Sequence, residues 1–132
     1  STGKVNMASD IEAMRKAGKA GKLVVMKAWP GFSWLDADQM KKPHDELLKL
    51  ARERITFPLA CFLVAAETNS FFCYTWGYRE NQGTFDWYPE FDKPLGPPKG
   101  QAERKGWTYQ REFEHASVFV DLESQTAKID WK

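Results

Sequence analysis

Nine of the nineteen aromatic side chains fall between Phe71 and Phe91, in FFCYTWGYRENQGTFDWYPEF, where a strand-like segment runs into a polar loop carrying Arg79, Asp86 and Glu90. Flat aromatic faces beside charged groups suit a sugar, whose ring offers an apolar C–H face for stacking and hydroxyls for charge-assisted hydrogen bonds. The same aromatics suit a hydrophobic core equally well. A second group stands upstream, with Lys27, Trp29, Phe32 and Trp34 followed by Asp36 and Asp38. Hydrolysis of a glycosidic bond needs two carboxyls, about 5 Å apart or further apart to admit a water. Asp36, Asp38 and Asp86 are the candidates, with Glu67, Glu90 and Asp92 close by in sequence. None sits in a sharp motif, and residues of this kind are more often solvated or capping carboxylates.

Other chemistries find less support. His44 and His115 are the only histidines and neither has a second ligand at metal spacing, so His44 reads as a surface residue near a helix start and His115 as a strand residue. Gly18, Gly21 and Gly31 lack the pattern of a phosphate-cradling loop, and no G-x-S-x-G elbow occurs. Two cysteines, Cys61 and Cys73, are too few for a disulfide scaffold and suit buried free thiols, which leaves the redox compartment open. No metal or cofactor is expected.

The elements that would position these residues follow from capping and periodicity. Ser9-Asp10-Ile11-Glu12 has the form of a capping box, which predicts a helix starting there and ending at Gly18 and Gly21. Residues 23–28 form a short apolar run that reads as a buried strand, closed by the turn signal Trp29-Pro30-Gly31. Pro43 suits the first turn of a second helix with Leu47, Leu48, Ala51 and Ile55 as its apolar stripe, Pro58 interrupts it, and Leu59 to Ala66 reads as helix. Phe71 to Trp76 reads as a second buried strand. Helix, strand, helix, strand favours parallel strands joined by a crossover helix. Ligands collect at the carboxyl ends of such strands, where both runs end in tryptophan, so Trp29 and Trp76 are expected to face one cleft.

The segment 81–108 is loop-like, punctuated by Pro89, Pro94, Pro97 and Pro98. The tail 109–132 closes the chain as an antiparallel hairpin, with Ser117 to Leu122 alternating and Thr126 to Trp131 answering it across Glu123-Ser124-Gln125. At 132 residues, with 42% hydrophobic and 28% charged side chains, the chain fits one globular domain spanning 1–132, whose helix–strand–helix–strand part covers 9–80. A net charge of +1 gives no strong pull on nucleic acid or anionic lipid, and points to an uncharged partner. The longest apolar run, Pro58 to Ala66, is too short to span a membrane, and no signal peptide opens the sequence, so localisation stays open.

Four segments together carry a family resemblance: Leu-Val-Val-Met-Lys-Ala-Trp-Pro (23–30), Phe-Phe-Cys-Tyr-Thr-Trp-Gly-Tyr (71–78), the loop from Asp86 through Pro-Leu-Gly-Pro-Pro (94–98), and Tyr-Gln-Arg-Glu-Phe-Glu followed by Val-Phe-Val-Asp (109–121). They resemble the C-terminal part of glycoside-hydrolase-like (β/α)₈ barrel proteins, in which the last strand ends in aromatics and a Pro-Leu-Gly loop and a Tyr-x-Arg-x-Phe-Glu hairpin follow. Here His115-Ala116 stands where Asn-Gly is common and Asp121 where Asn is common. The resemblance implies an α/β fold made of the last β/α units of a barrel plus the closing hairpin, because a whole barrel takes about 250 residues. It implies secretion or a periplasmic place, and catalytic carboxylates on strands outside this chain.

The combined expectation is a part of a glycoside hydrolase that contributes an aromatic carbohydrate-binding wall and is catalytically incomplete alone. Lys27, Trp29, Trp34, Trp76, Tyr78, Arg79, Trp87 and Tyr88 would contact an oligo- or polysaccharide. Self-association, or a missing N-terminal barrel segment, would cover the exposed strand edges. The competing reading is an autonomous non-catalytic carbohydrate- or protein-binding module.

Overall fold

A computed structural model describes residues 2–84 and 86–132; Phe85, one of the aromatic stretch, lies outside the described residues. The chain runs α1 (Thr2–Lys19), β1 (Val24–Ala28), α2 (Ala37–Met40), α3 (His44–Glu53), α4 (Thr56–Ala65), β2 (Ser70–Tyr74), two 3₁₀ turns (Glu80–Gln82 and Pro89–Asp92), then β3 (Glu103–Lys105), β4 (Thr108–Phe113), β5 (Ala116–Asp121) and β6 (Thr126–Trp131). Two sheets result. β1 and β2 pair in parallel, Val24 opposite Ser70 through Ala28 opposite Tyr74, as the helix–strand alternation predicts. β3 to β6 form a four-stranded antiparallel meander. The fold is mixed α/β.

Four sequence expectations need correction. The helix predicted from Ser9 begins at Thr2, because the stripe of Ala8, Ile11 and Met14 extends back to Met7, and Glu12 bonds to Arg15 and Tyr109 instead of closing a capping box. The closing hairpin is the last part of a larger sheet: β4 and β3 precede it, and β3 lies inside the stretch read as loop. His115 sits in the β4–β5 turn and not in a strand. Pro58 does not divide two helices but lies in the first turn of α4, where the missing N–H costs nothing.

α4 is apolar all round, and Leu59 through Ala65 are all buried, which marks a helix with no solvent face. One side meets the antiparallel sheet and another meets α1, while Phe62 reaches Phe72 of β2 at 5.4 Å between ring centroids. The inner face of the antiparallel sheet supplies Tyr109, Phe113, Val118, Val120 and Leu122. Arg111 stands among them at 2% exposure. Its Nε donates to Gly100 O at 3.0 Å, and its Nη1 to Leu63 O at 3.0 Å and Ala66 O at 2.7 Å, so one guanidinium closes the carboxyl end of α4 and ties it to the loop before β3. Gly96, at φ 71°, lies against the β4–β5 turn, where a Cβ would come within 2.7 Å of Glu114 Cβ. The Pro-Leu-Gly loop and the Tyr-x-Arg-x-Phe strand are thus parts of one packing arrangement.

α1 is fastened to β4 by a polar cluster. Tyr109 Oη donates to Glu12 Oε1 at 3.0 Å, and Arg15 Nη1 donates to the same oxygen at 2.9 Å. Burial opposes ionisation of Glu12, but the Tyr109 hydroxyl and the Arg15 and Arg104 guanidiniums outweigh it and hold the carboxyl below its ordinary value of 4.5. The sign follows from linkage: a folded-state value below the unfolded one gives stability that is complete above the unfolded value and lost as pH falls through the folded one. Urea titrations between about pH 6 and about pH 3 should therefore show a smaller loss of stability in Glu12→Gln than in the parent protein. Equal losses would sink this account of the cluster.

The parallel pair is covered on one side only. Val24, Met26, Ala28, Phe72 and Tyr74 pack toward the helices. Val25 (61% exposed) and Phe71 (55%), which are register partners, point the other way together with Leu23 (71%). Parallel sheets are ordinarily covered on both faces, so this bare apolar face is the least usual feature of the fold.

Candidate functional site

The carboxyl ends of β1 and β2 are joined above the sheet by backbone bonds. Thr75 N donates to Ala28 O at 3.2 Å, Trp34 N to Trp76 O at 2.6 Å, and Trp76 N to Gln82 O at 3.0 Å. From below, Arg54 Nη1 holds Pro30 O at 2.9 Å and Tyr74 Oη holds Ala51 O at 2.8 Å, which fixes α3 and the residues just after it against the strand ends. A tryptophan follows each strand, but the two do not face one cleft. The register ends with Ala28 opposite Tyr74, so Trp29 follows β1 directly while Trp76 stands two residues beyond β2. Trp76 is fully buried between Phe32 and His44, each with its ring centroid 5.5 Å away, and Gly83 leaves room for its edge. Trp29 is 39% exposed.

Three of the expected binding residues come together. Lys27 Nζ lies 3.4 Å from the centroid of Tyr78 and 4.6 Å from that of Trp29, whose rings meet edge to face at 6.3 Å. Trp34 and Arg79 are exposed on the loops that follow the two strands. A groove of about 740 Å³ opens beside this cluster, running along β1 between α1 and the start of α4; Lys27 and Trp29 line it together with Met14, Val25 and Phe57.

Trp87 and Tyr88 belong to a different grouping. Trp87 is exposed, its Nε1 donates to Asp92 Oδ2 at 2.7 Å, and its ring meets Phe91 at 5.2 Å. Tyr88 is buried against Tyr74 and Phe91, and burial, with Asp86 nearby, pushes its hydroxyl up to about 12. Trp76 and Tyr88 therefore present no ring face to solvent in this structure. Of the expected aromatics, Trp29, Trp34, Tyr78 and Trp87 are exposed, and only Trp29 and Tyr78 of these four touch each other.

The three candidate carboxylates have different settings. Asp36 accepts from Gln39 N at 3.2 Å as the N-cap of α2, and Asp38 stands almost wholly in solvent, 3.7 Å from Lys41. Asp86 is enclosed, with 18% of its side chain exposed. His44 Nε2 lies 3.0 Å from its Oδ2 and 3.2 Å from its Oδ1; only the Oδ1 contact has hydrogen-bond geometry, so Oδ2 is buried with the ionic contact alone. The other ring nitrogen, Nδ1, faces Asn81 O at 3.1 Å. A carbonyl and a carboxylate both only accept, so both bonds are made at once only when both ring nitrogens carry hydrogen, or when the Asp86 carboxyl does. The His44–Asp86 contact is the arrangement here best suited to acid–base work. His44, read from the sequence as a surface residue near a helix start, is the first residue of α3 with 38% of its side chain exposed; it lies 42 residues from Asp86 and no spacing signal links them.

Glu67 lies at the opposite end of β2, 4.0 Å from Arg111 and accepting from Gln101 Nε2 at 2.7 Å, which makes it part of the packing around Arg111. Among the described residues no group of three or more His, Cys, Asp or Glu is placed to hold a metal ion. Cys61 and Cys73 are free, and burial pushes the Cys61 thiol up to about 12. No described helix is long and apolar enough to cross a membrane.

Compared with known families, residues 2–117 match the model of hypothetical glycosyl hydrolase family 15. None of the curated proteins compared with the chain matches it.

Proposed function

We propose, because the chain belongs to hypothetical glycosyl hydrolase family 15, that it is the C-terminal part of a glycosidase-like barrel and supplies an aromatic wall for sugar rings. The observation that carries this is the half-covered parallel pair. Helices lie on one face of β1 and β2, while Leu23, Val25 and Phe71 stand bare on the other, where the packed interior of a barrel would lie. The resemblance of the Pro-Leu-Gly loop and of the Tyr-x-Arg-x-Phe-Glu strand to the end of such barrels supports the same placement. Further strands would pair with the open edge of β1 and bring the second carboxyl that glycosidic hydrolysis needs.

In this reading Trp29, Trp34, Tyr78 and Trp87 stack on sugar rings, and Arg79 and Lys27 hold hydroxyls. Trp76 acts from beneath by holding the loop that carries Trp34 and packing on His44 at the start of α3. Asp86, with His44, is the carboxyl of this chain that enters the chemistry when the barrel is complete.

Titration with oligosaccharides tests the proposal. Tryptophan fluorescence should change on binding, and Trp29→Ala should remove most of the change while the 132-residue chain alone turns over no glycoside. A chain whose fluorescence no oligosaccharide perturbs would leave the exposed aromatics without a sugar-binding role.

A further inference from the structure

Of the thirteen lysines, eleven are exposed and two, Lys4 and Lys27, are partly buried. Lys4 has an acidic partner, Glu123, at 2.9 Å. Lys27 has none: among the described residues no carboxylate lies within ion-pair distance, and none of its three N–H groups has a hydrogen-bond acceptor. Its neighbours are the faces of Tyr78 and Trp29. Ring faces attract an ammonium but accept no full hydrogen bond from it, so the donors remain available. Asp10 also lines the adjoining groove, but it forms no ion pair with Lys27.

The position of this ammonium is as specific as its lack of a counter-ion. It projects from the carboxyl-terminal half of β1, on the strand face away from the helices, beside two exposed rings and at one end of the groove. We infer that Lys27, Trp29 and Tyr78 form a subsite for an acidic sugar, one whose ring bears a carboxylate. The sugar ring stacks on Trp29 or Tyr78, and its carboxylate takes the Lys27 N–H donors in a charge-assisted bond. This rests on the carbohydrate-binding reading above and narrows its substrate class. The near-zero net charge of the chain, which by itself points to an uncharged partner, is no obstacle, because recognition here depends on one local charge.

The test compares two forms of one ligand, oligogalacturonate with free carboxylates and the same oligomer with its carboxylates methyl-esterified, each titrated into the chain by tryptophan fluorescence. The free acid should bind about tenfold more tightly than the ester, as one partly desolvated ion pair implies. Lys27→Gln should erase that ratio, Lys27→Arg should keep most of it, and added salt should shrink it. A melting curve checks that Lys27→Gln is folded; should it not be, Tyr78→Leu, altering a ring 72% exposed, serves in its place and should likewise reduce the ratio. Equal binding of acid and ester by the parent chain would overturn this inference and leave the broader sugar-binding reading standing. A ratio unchanged in the variant would also overturn it, and no binding of these or of neutral oligosaccharides would overturn both.

Discussion

Arg111→Ala should lower the stability of the protein by about 3–5 kcal/mol, a large part of what a domain of this size possesses. The side chain is 2% exposed and donates to Gly100, Leu63 and Ala66, three backbone carbonyls from two separate segments. Truncation leaves the buried Leu63 carbonyl without a partner, at about 1–3 kcal/mol before relaxation, and frees the part-buried carbonyls of Gly100 and Ala66, so that the carboxyl end of α4 is no longer tied to the loop before β3. Glu67, 4.0 Å away, loses its neighbouring charge as well. Arg111→Met tests the polar part: methionine restores much of the volume but none of the bonds, so it should recover only a minor share. Lysine should also fall short, since a single ammonium cannot reproduce the fork. Urea denaturation measures all three, and a loss below about 1 kcal/mol in the alanine variant would show that the carbonyls find other partners.

The second large effect separates two tryptophans that look alike in the sequence. Trp76→Ala should cost about 3–5 kcal/mol, the usual range for emptying a buried indole site, because the ring is wholly enclosed and packs on Phe32 and His44. Trp29→Ala should change stability by no more than about 1 kcal/mol, as its ring is 39% exposed and touches Lys27 and Tyr78. The contrast also guards the binding experiments. Loss of sugar binding in the Trp29 variant reports on the surface, whereas loss in the Trp76 variant reports on the scaffold. Similar costs for the two would contradict the burial that separates them just beyond the end of the β1–β2 register.

That register is the clearest case of what a linear reading leaves out. The positions of β1, α3, α4 and β2 were legible because each rests on a local signal: a short apolar run, a proline near a helix start, a stripe at helical spacing. Even the parallel pairing of the strands followed from their alternation with helices. Which residue of β1 stands beside which residue of β2 has no local signature, and a shift of one residue reverses every side chain. The capping box at Ser9 failed for a related reason. Glu12 turns to Arg15, three residues on, and to Tyr109, 97 residues away, a partner that local spacing does not specify.

β4 was hidden by its own chemistry. Its inward positions are Tyr109, Arg111 and Phe113, and an arginine in the middle breaks the alternation of apolar and polar residues by which a half-buried strand is recognised. The part of the chain most specific in its family resemblance is therefore a packing device, with Tyr109 holding α1, Arg111 holding α4 and Phe113 filling the core. Aromatic character near a strand end marks exposed Trp29 and buried Trp76 alike and does not tell a surface ring from a packed one. The contact of His44 with Asp86 joins residues 42 apart, which no local spacing reports.

The half-paired state of β1 also has a consequence in time. Val24 N bonds to Asn69 O, and Thr75 N to Ala28 O, so the even-numbered residues of this strand turn their backbone groups toward β2 and the odd-numbered ones, Val25 and Lys27, turn theirs to the open side. Neighbouring peptide groups a few ångströms apart then live at different tempos, one set released only when the sheet opens and the other renewing its bonds with water at the pace of the solvent.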